Sequence, residues 1–183
     1  MNLVPGLAVR FAAWRVLHDV RHGVPFDVAL DRAIWDLEPA DRRLAHELAA
    51  GVFRSRTQLD LSLGGVIARG IGSVRPDILD VLRLGAFQLT QLDKVPPHAA
   101  VQTSVGVARR LGGQRVGGFV NAVLRRLATA PAVTVAGAKG SGAHPSDGGL
   151  ARQYSHPEWL VDRWTARFGP ADSLYPYEGA HFS

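Results

Sequence analysis

The chain has 183 residues, of which 46% are apolar, with a formal net charge of +5 and no cysteine. This length and composition are typical of one soluble domain with an appendage. The absence of cysteine excludes disulfide bonds, thiolate metal sites and a cysteine nucleophile. Because the sequence contains neither a long apolar run nor a charged-then-apolar leader, we expect no membrane span and no secretion signal, and therefore a cytoplasmic protein.

The basic residues are unevenly distributed along the chain. Residues 1–68 contain eight arginines and eight acids, whereas residues 69–128 contain nine basic residues and three acids. Arginine outnumbers lysine eight to one in the second stretch, and such a concentration of guanidinium groups is typical of surfaces that contact phosphates. The alternative is that these side chains are only the solvated faces of helices.

Apolar residues recur at three- and four-residue spacing through the first 128 residues, which predicts one helix after another and no strand. Glycine and proline mark the breaks between them, for example at Gly23 and Pro25. The predicted helices are 7–22, 26–37, 39–55, 57–68, 76–92, 97–111 and 117–127. The predicted fold class is therefore all-α, with about seven helices packed against one another.

The helix predicted at 117–127 is expected to lie at the centre of the bundle, with the helix at 76–92 as a second central element. The predicted buried stripe of the helix at 117–127 consists of Phe119, Val120, Val123, Leu124 and Leu127. The two glycines before this stripe, 117 and 118, are predicted to begin the helix at a place where another backbone approaches closely.

The composition changes abruptly after the last of these helices. Residues 129–152 are dominated by small residues, proline and glycine, which predicts a flexible linker. Residues 153–170 predict one further helix, and residues 171–183 show no usable periodicity. The predicted organisation is thus a helical domain at 5–128, a linker, a C-terminal helix and an irregular tail.

Eight basic side chains are the candidate RNA contacts. They are Arg10, Arg83, Lys94, Arg109, Arg110, Arg115, Arg125 and Arg126. The last five would gather on one patch if the helices at 97–111 and 117–127 packed antiparallel across the short connection between them.

Catalytic and metal-binding patterns are weak in this sequence. His98 has no nearby carboxylate, and His18, His22 and His46 do not form a recognisable metal-binding pattern. The four tryptophans are expected to anchor the packing rather than to stack on bases. They are Trp14, Trp35, Trp159 and Trp164.

Four stretches carry a resemblance to a known family. The first three stretches resemble the NusB-like RNA-binding domain. They are DRRLAHELAAGVFRSRTQLD (41–60), ILDVLRLGAFQLTQLDKVPPHAAVQTSV (78–105) and GGFVNAVLRRL (117–127). The fourth stretch, SHPEWLVDRW (155–164), resembles the segment that follows this domain in bacterial 16S ribosomal RNA cytosine-C5 methyltransferases of the RsmB type. The resemblance implies a NusB fold and RNA as the partner, 16S ribosomal RNA in particular. In complete members it also implies a further domain with S-adenosylmethionine and catalytic cysteines.

The chain departs from that family in its chemistry. It has no cysteine and no strand followed by a glycine-rich turn and helix, so we predict no enzyme activity and no cofactor for this chain alone. The sequence beyond Pro170 does not resemble the family, as expected of a gene fragment or a frameshifted end. The main prediction is the RNA-binding module of such a methyltransferase, whose catalytic domain would belong to a longer product.

Two alternatives remain open. One is a stand-alone NusB-type antitermination factor, which in that family binds a leader RNA with a small ribosomal protein. It is disfavoured because only Arg10 and Arg15 stand where an arginine-rich N-terminal run is expected, and because the chain continues to SHPEWLVDRW. The other is a helical protein-interaction scaffold that does not bind RNA.

Overall fold

The structure is a computed structural model and describes residues 6–130 and Arg163. Residues 6–130 form six α-helices, which confirms the all-α prediction. The helices are α1 (Leu7–Arg21), α2 (Phe26–Ile34), α3 (Pro39–Arg54), α4 (Arg56–Val66), α5 (Pro76–Gln91) and α6 (Pro97–Thr129). A 3₁₀ turn at Ile71–Ser73 lies where a loop was predicted. No helix in this described part is both long and apolar enough to cross a lipid bilayer.

The chain divides into two compact units, Met1–Pro131 and Ala132–Ser183. All six helices belong to the first unit. Most of the predicted linker at 129–152, the helix at 153–170 except Arg163, and the tail at 171–183 lie outside the described residues, so those assignments stay predictions.

Helix α6 contains both of the last two predicted helices of the bundle. Gly112 (φ −153°, ψ 16°) and Gly113 (φ 74°, ψ −169°) have non-helical backbone angles and divide α6 into a first segment (97–111) and a second segment (114–129). The positive φ of Gly113 is readily adopted by glycine but rarely by other residues. The second segment begins earlier than predicted, so Gly117 and Gly118 lie inside the helix rather than at its start.

The chain folds back on itself at this kink. A Cβ atom added to Gly117 would lie 2.5 Å from Cγ of Arg109. Eight residues of uninterrupted helix would separate these two positions by about 12 Å along the axis. The close contact at Gly117 is therefore with the side chain of Arg109 rather than with another backbone as predicted, and a Cβ atom at Gly118 would have no neighbour within 4 Å.

Helix α5 lies at the centre of the bundle. It packs against α1, α3, α4 and α6, and every side chain from residue 80 to residue 88 is buried. A helix that is buried on all sides must satisfy its polar groups inside the protein. The sequence predicted the helix at 117–127 as the central element and α5 as a second central element. In the structure, α5 is the helix that the others surround.

Two aromatic residues differ from their predicted placement. Phe119 is 40% exposed rather than buried, because it lies about 100° around the helix from the buried Val120. Val120, Val123, Leu124 and Leu127 are buried as predicted. Trp35 was predicted to anchor the packing, but it is 77% exposed at the end of α2. Trp14 does anchor it, since its indole Nε1 donates to the Asp77 carbonyl at 2.9 Å.

Gly85 allows α5 to approach both segments of α6. A Cβ atom there would lie 2.9 Å from Oγ of Ser104 and would also collide with Leu124. We expect Gly85→Ala to lower the free energy of unfolding by about 1–3 kcal/mol, because the added methyl group needs space that is already filled. Urea denaturation measures this change.

The matched control is Gly64→Ala in α4, where an added Cβ atom would have no neighbour within 4 Å. We expect this variant to be stabilised by about 0.4–1 kcal/mol, because alanine loses less backbone entropy than glycine on folding. Equal stability of the two variants would contradict the close packing of α5 against α6.

Candidate nucleic-acid interface

Six of the eight predicted RNA-contacting side chains are exposed, and all six lie on α6 or in the loop that precedes it. They are Lys94, Arg109, Arg110, Arg115, Arg125 and Arg126. Helix α6 carries five of these and contains no aspartate or glutamate. We call the five the α6 arginines. Their surface is positive because no acidic group on the same helix offsets them.

The second segment of α6 presents a continuous exposed face. Its members recur at three- and four-residue spacing and so project from the same side of the helix. They are Arg115, Gly118, Phe119, Ala122, Arg125 and Arg126. Arginines stand at both ends of this face, about 16 Å apart along the axis, and an exposed aromatic ring lies between them.

Phe119 borders a groove of about 510 Å³. Phe119, Ala122 and Arg126 form one wall, and the chain from Val66 to Arg69 lies opposite them. Nη1 of Arg126 donates to the Val66 carbonyl at 3.3 Å and so connects the two walls. The groove therefore combines an apolar ring with a guanidinium group on each side.

Sequence reasoning missed both Phe119 and Arg69 as members of this site. The available signal was the spacing of Phe119 from Arg115 and Arg126, which places the three on one helix face. Arg69 could not be located in the same way, because it lies in the loop after α4 and its position depends on the path of that loop.

The end of the first segment of α6 is attached to α1 through Arg110. Its guanidinium carbon lies 4.6 Å from the centroid of the Phe11 ring, within the range of a cation–π interaction. The row of rings then continues along α1, with centroid distances of 5.4 Å from Phe11 to Trp14, 5.2 Å from Trp14 to His18 and 4.2 Å from His18 to His22. Arg110 is thus held in place while remaining exposed.

Arg83, a predicted RNA contact, lies inside the bundle with 6% of its surface exposed. Its Nε and Nη2 donate to the two carboxylate oxygens of Asp60 at 2.7 and 2.8 Å, and its Nη1 donates to Asp80 at 3.0 Å. Burial alone would lower the pKa of Arg83, but the ion pairs with Asp60 and Asp80 outweigh it and raise the pKa above its ordinary value. Because these groups are already bonded, we leave Arg83 out of the proposed interface.

Arg10 is also buried, with 8% of its surface exposed. Its Nε donates to Oε1 of Gln88 at 2.8 Å. Burial lowers the pKa of Arg10, and nearby Asp41 opposes that shift without cancelling it. A guanidinium held between α1 and α5 in this way has little surface for a phosphate, so we leave Arg10 out of the proposed interface as well.

No group of three or more histidine, aspartate or glutamate side chains within residues 6–130 is arranged to hold a metal ion. His98 is exposed in the first turn of α6.

An all-α bundle whose exposed guanidinium groups flank an aromatic groove has the surface of a helical nucleic-acid-binding domain. The NusB family matches residues 8–129, and the chain belongs to this family. The family resemblance predicted from the sequence is thereby confirmed.

Two relatives indicate how the chain relates to longer and shorter members. It is 34% identical over 173 residues to a probable ribosomal RNA small subunit methyltransferase B of Synechocystis sp., covering 91% of this chain and 37% of that protein. It is 33% identical over 115 residues to the transcription antitermination protein NusB of Hahella chejuensis, covering 63% of this chain and 75% of that protein. The chain spans about a third of the length of the methyltransferase relatives, 37% and 29% in two examples.

A solved structure shows the same fold. The antitermination factors NusB and NusE in complex with double-stranded RNA provide a chain with a TM-score of 0.59 and 20% sequence identity, covering 67% of this chain and 94% of that chain. The predicted NusB-like bundle is therefore confirmed.

Proposed function

We propose that this chain is the RNA-binding module of a 16S ribosomal RNA cytosine-C5 methyltransferase of the RsmB type, acting in the cytoplasm. The observation that carries the proposal is helix α6, which has five exposed arginines, no acid and an aromatic groove beside its second segment. Arginine suits this role because its planar fork can donate two hydrogen bonds to one phosphate. We propose Lys94 and the α6 arginines as the phosphate contacts.

The Phe119 groove supports binding of an unpaired nucleotide. An exposed aromatic ring offers a stacking surface to any base, and sequence-specific RNA recognition mostly targets unstacked bases in loops and ends. Arg69 and Arg126 are placed beside the groove, where they would contact the phosphates flanking a stacked base. The proposed substrate is therefore a single-stranded loop of ribosomal RNA rather than a continuous helix.

The proposal gives this chain a binding role and no catalytic one. It contains no cysteine to attack the cytosine ring. Residues 6–130 contain no strand, and hence no strand–turn–helix unit that fits S-adenosylmethionine. The cofactor and the chemistry would belong to a further domain of a longer protein, which this module would direct to its RNA.

A second candidate is a stand-alone antitermination factor. The match to the Hahella chejuensis NusB, which covers 75% of that protein, favours it. The match to the Synechocystis methyltransferase covers 91% of this chain and so extends beyond the NusB region at 8–129. This longer match is the reason that we favour the methyltransferase module.

The remaining alternative is a helical protein-interaction scaffold that does not bind RNA. Such a scaffold would show no salt-dependent RNA affinity.

Phe119→Ala tests the proposed groove. We expect it to weaken binding to a 16S ribosomal RNA hairpin by about 5- to 150-fold, because stacking on one aromatic ring contributes about 1–3 kcal/mol per base. Fluorescence anisotropy measures this affinity, with a fully paired RNA of the same length as the second ligand. The loss should be smaller for the paired RNA, which has no free base to stack.

The matched control is Leu61→Ala, which removes another exposed apolar side chain, 44% exposed on α4. We expect this variant to bind both RNAs as the parent does. The stacking role of Phe119 would be refuted by equal affinities of the Phe119→Ala and Leu61→Ala variants for the hairpin.

A further inference from the structure

Helix α2 packs against the core through partly buried residues and presents other apolar groups to solvent. Only Ala29 of its nine residues is buried. Val28 is 40% exposed, and Trp35, which follows the helix as its C-cap, is 77% exposed. Singly exposed apolar residues are common on proteins, but a tryptophan exposed to this extent is a strong candidate for an interface anchor.

The backbone that carries Trp35 is anchored. Nη2 of Arg42, on α3, donates to the Trp35 carbonyl at 3.0 Å, and Nε of the same residue donates to the Leu37 carbonyl at 2.6 Å. This clamp fixes the chain just beyond the end of α2. A partner that packs on the indole ring would therefore lose little free energy in ordering the backbone beneath it.

The exposed face of α2 is self-complementary. Val28, Asp31, Arg32 and Trp35 are all exposed and lie three, four and seven residues apart, which places them on one side of the helix. The midpoint between Val28 and Trp35 falls between Asp31 and Arg32. A two-fold axis through that midpoint would pair an apolar residue with an apolar residue and an acid with a base.

We propose that this face binds a second copy of the chain, with the two α2 helices antiparallel. Val28 would pack against Trp35 of the second copy, and Asp31 would face Arg32 of the second copy, each contact occurring twice because a two-fold interface uses the same patch on both molecules. The symmetry of the charge pattern favours a second copy, since an unrelated partner would not require an acid and a base at equal distances from the centre.

The association is expected to be weak. A stable interface usually buries about 800 Å² on each partner, and four side chains on one short helix offer less. The full-length chain should therefore be monomeric when dilute and should associate reversibly at roughly 100 µM, the range of transient contacts. Sedimentation equilibrium measures this over a range of concentrations.

Three single substitutions should weaken self-association. Trp35→Ser removes the anchor and should weaken it by about 30-fold or more. Asp31→Arg and Arg32→Asp each place like charges across the axis and should weaken it by about tenfold. Leu61→Ser, which changes an exposed apolar residue on α4, should have no effect. Thermal melts of all four variants establish that they are folded.

Mixing the two charge variants tests the pairing itself. Asp31→Arg carries two positive groups at the centre of the face and Arg32→Asp carries two negative groups, so an equimolar mixture should form heterodimers although neither variant associates well alone. The double variant Asp31→Arg/Arg32→Asp should associate as the parent does. The proposal is overturned by a parent that stays monomeric at every concentration, by association that survives Trp35→Ser, or by charge variants that mixing does not rescue.

Discussion

Arg83→Ala is expected to lower the free energy of unfolding by about 3–5 kcal/mol, because it removes the guanidinium that bonds two carboxylates of a buried ion-pair network. Arg83 joins Asp60 on α4 to Asp80 on α5. Asp80 also accepts from Nε of Arg21 on α1 at 3.1 Å, so the network connects three helices. Without Arg83, the Asp80 side chain, 6% exposed, would keep a single partner at the edge of the bundle. Urea denaturation monitored by circular dichroism measures the loss.

The control for this experiment is Arg75→Ala at the start of the same helix. Arg75 pairs with Asp77 at 2.6 Å, but its side chain is 61% exposed, and exposed ion pairs contribute little to stability. Comparable losses from Arg75→Ala and Arg83→Ala would contradict a structural role for the buried network. If Arg83→Ala kept the stability of the parent and lost RNA affinity, Arg83 would instead be an RNA contact.

The helices of the bundle could be predicted because their pattern is local. Apolar spacing places α1, α3 and α5 within one or two residues of their observed bounds. The division at Gly112 and Gly113 could also be predicted, because two adjacent glycines interrupt a helix. The sequence did not reveal where the second segment of α6 starts. Local spacing does not fix that position, and the extended segment brings Gly117 close to the side chain of Arg109 across the kink.

The sites were harder to predict because charge alone does not report exposure. Arg83 was assigned to the RNA surface by its sign, although it lies in the apolar run DVLRLGAF, where a charged residue must be paired internally. Asp80, three residues earlier on the same helix, was the sequence signal for an internal ion pair with Arg83. Phe119 was assigned to the core by its helical spacing and Trp35 as a packing anchor. The structure places both on the surface, because the packing of neighbouring helices decides exposure.

Reversing Arg110 and Arg126 together should weaken RNA binding, because it removes two exposed guanidinium groups of the α6 arginines. The two residues lie on different segments of α6, and both are exposed. Each phosphate contact releases counterion, so each lost contact should reduce the slope of log affinity against log salt concentration by about 0.7 on single-stranded RNA. Arg110→Glu/Arg126→Glu should therefore flatten the slope by about one to two units.

The matched control is Arg43→Glu/Arg54→Glu, which makes the same change in net charge on exposed positions of α3. That helix packs against α1, α2, α4 and α5. Arg54 has only an exposed ion pair with Glu47 at 3.3 Å, so its reversal should cost little stability. We expect this variant to lose only the small part of the affinity that depends on total charge, and to keep the salt slope of the parent.

The salt slope of RNA binding is the measurement that tests the α6 interface most directly. Fluorescence anisotropy of a labelled 16S ribosomal RNA hairpin, titrated at several salt concentrations with the parent and both double variants, gives the three slopes. A slope flattened by about one to two units in Arg110→Glu/Arg126→Glu and unchanged in Arg43→Glu/Arg54→Glu is the expected result. An undiminished slope in the first variant, or an equal reduction in the second, would show that the α6 arginines are a solvated surface and that RNA binds elsewhere or not at all.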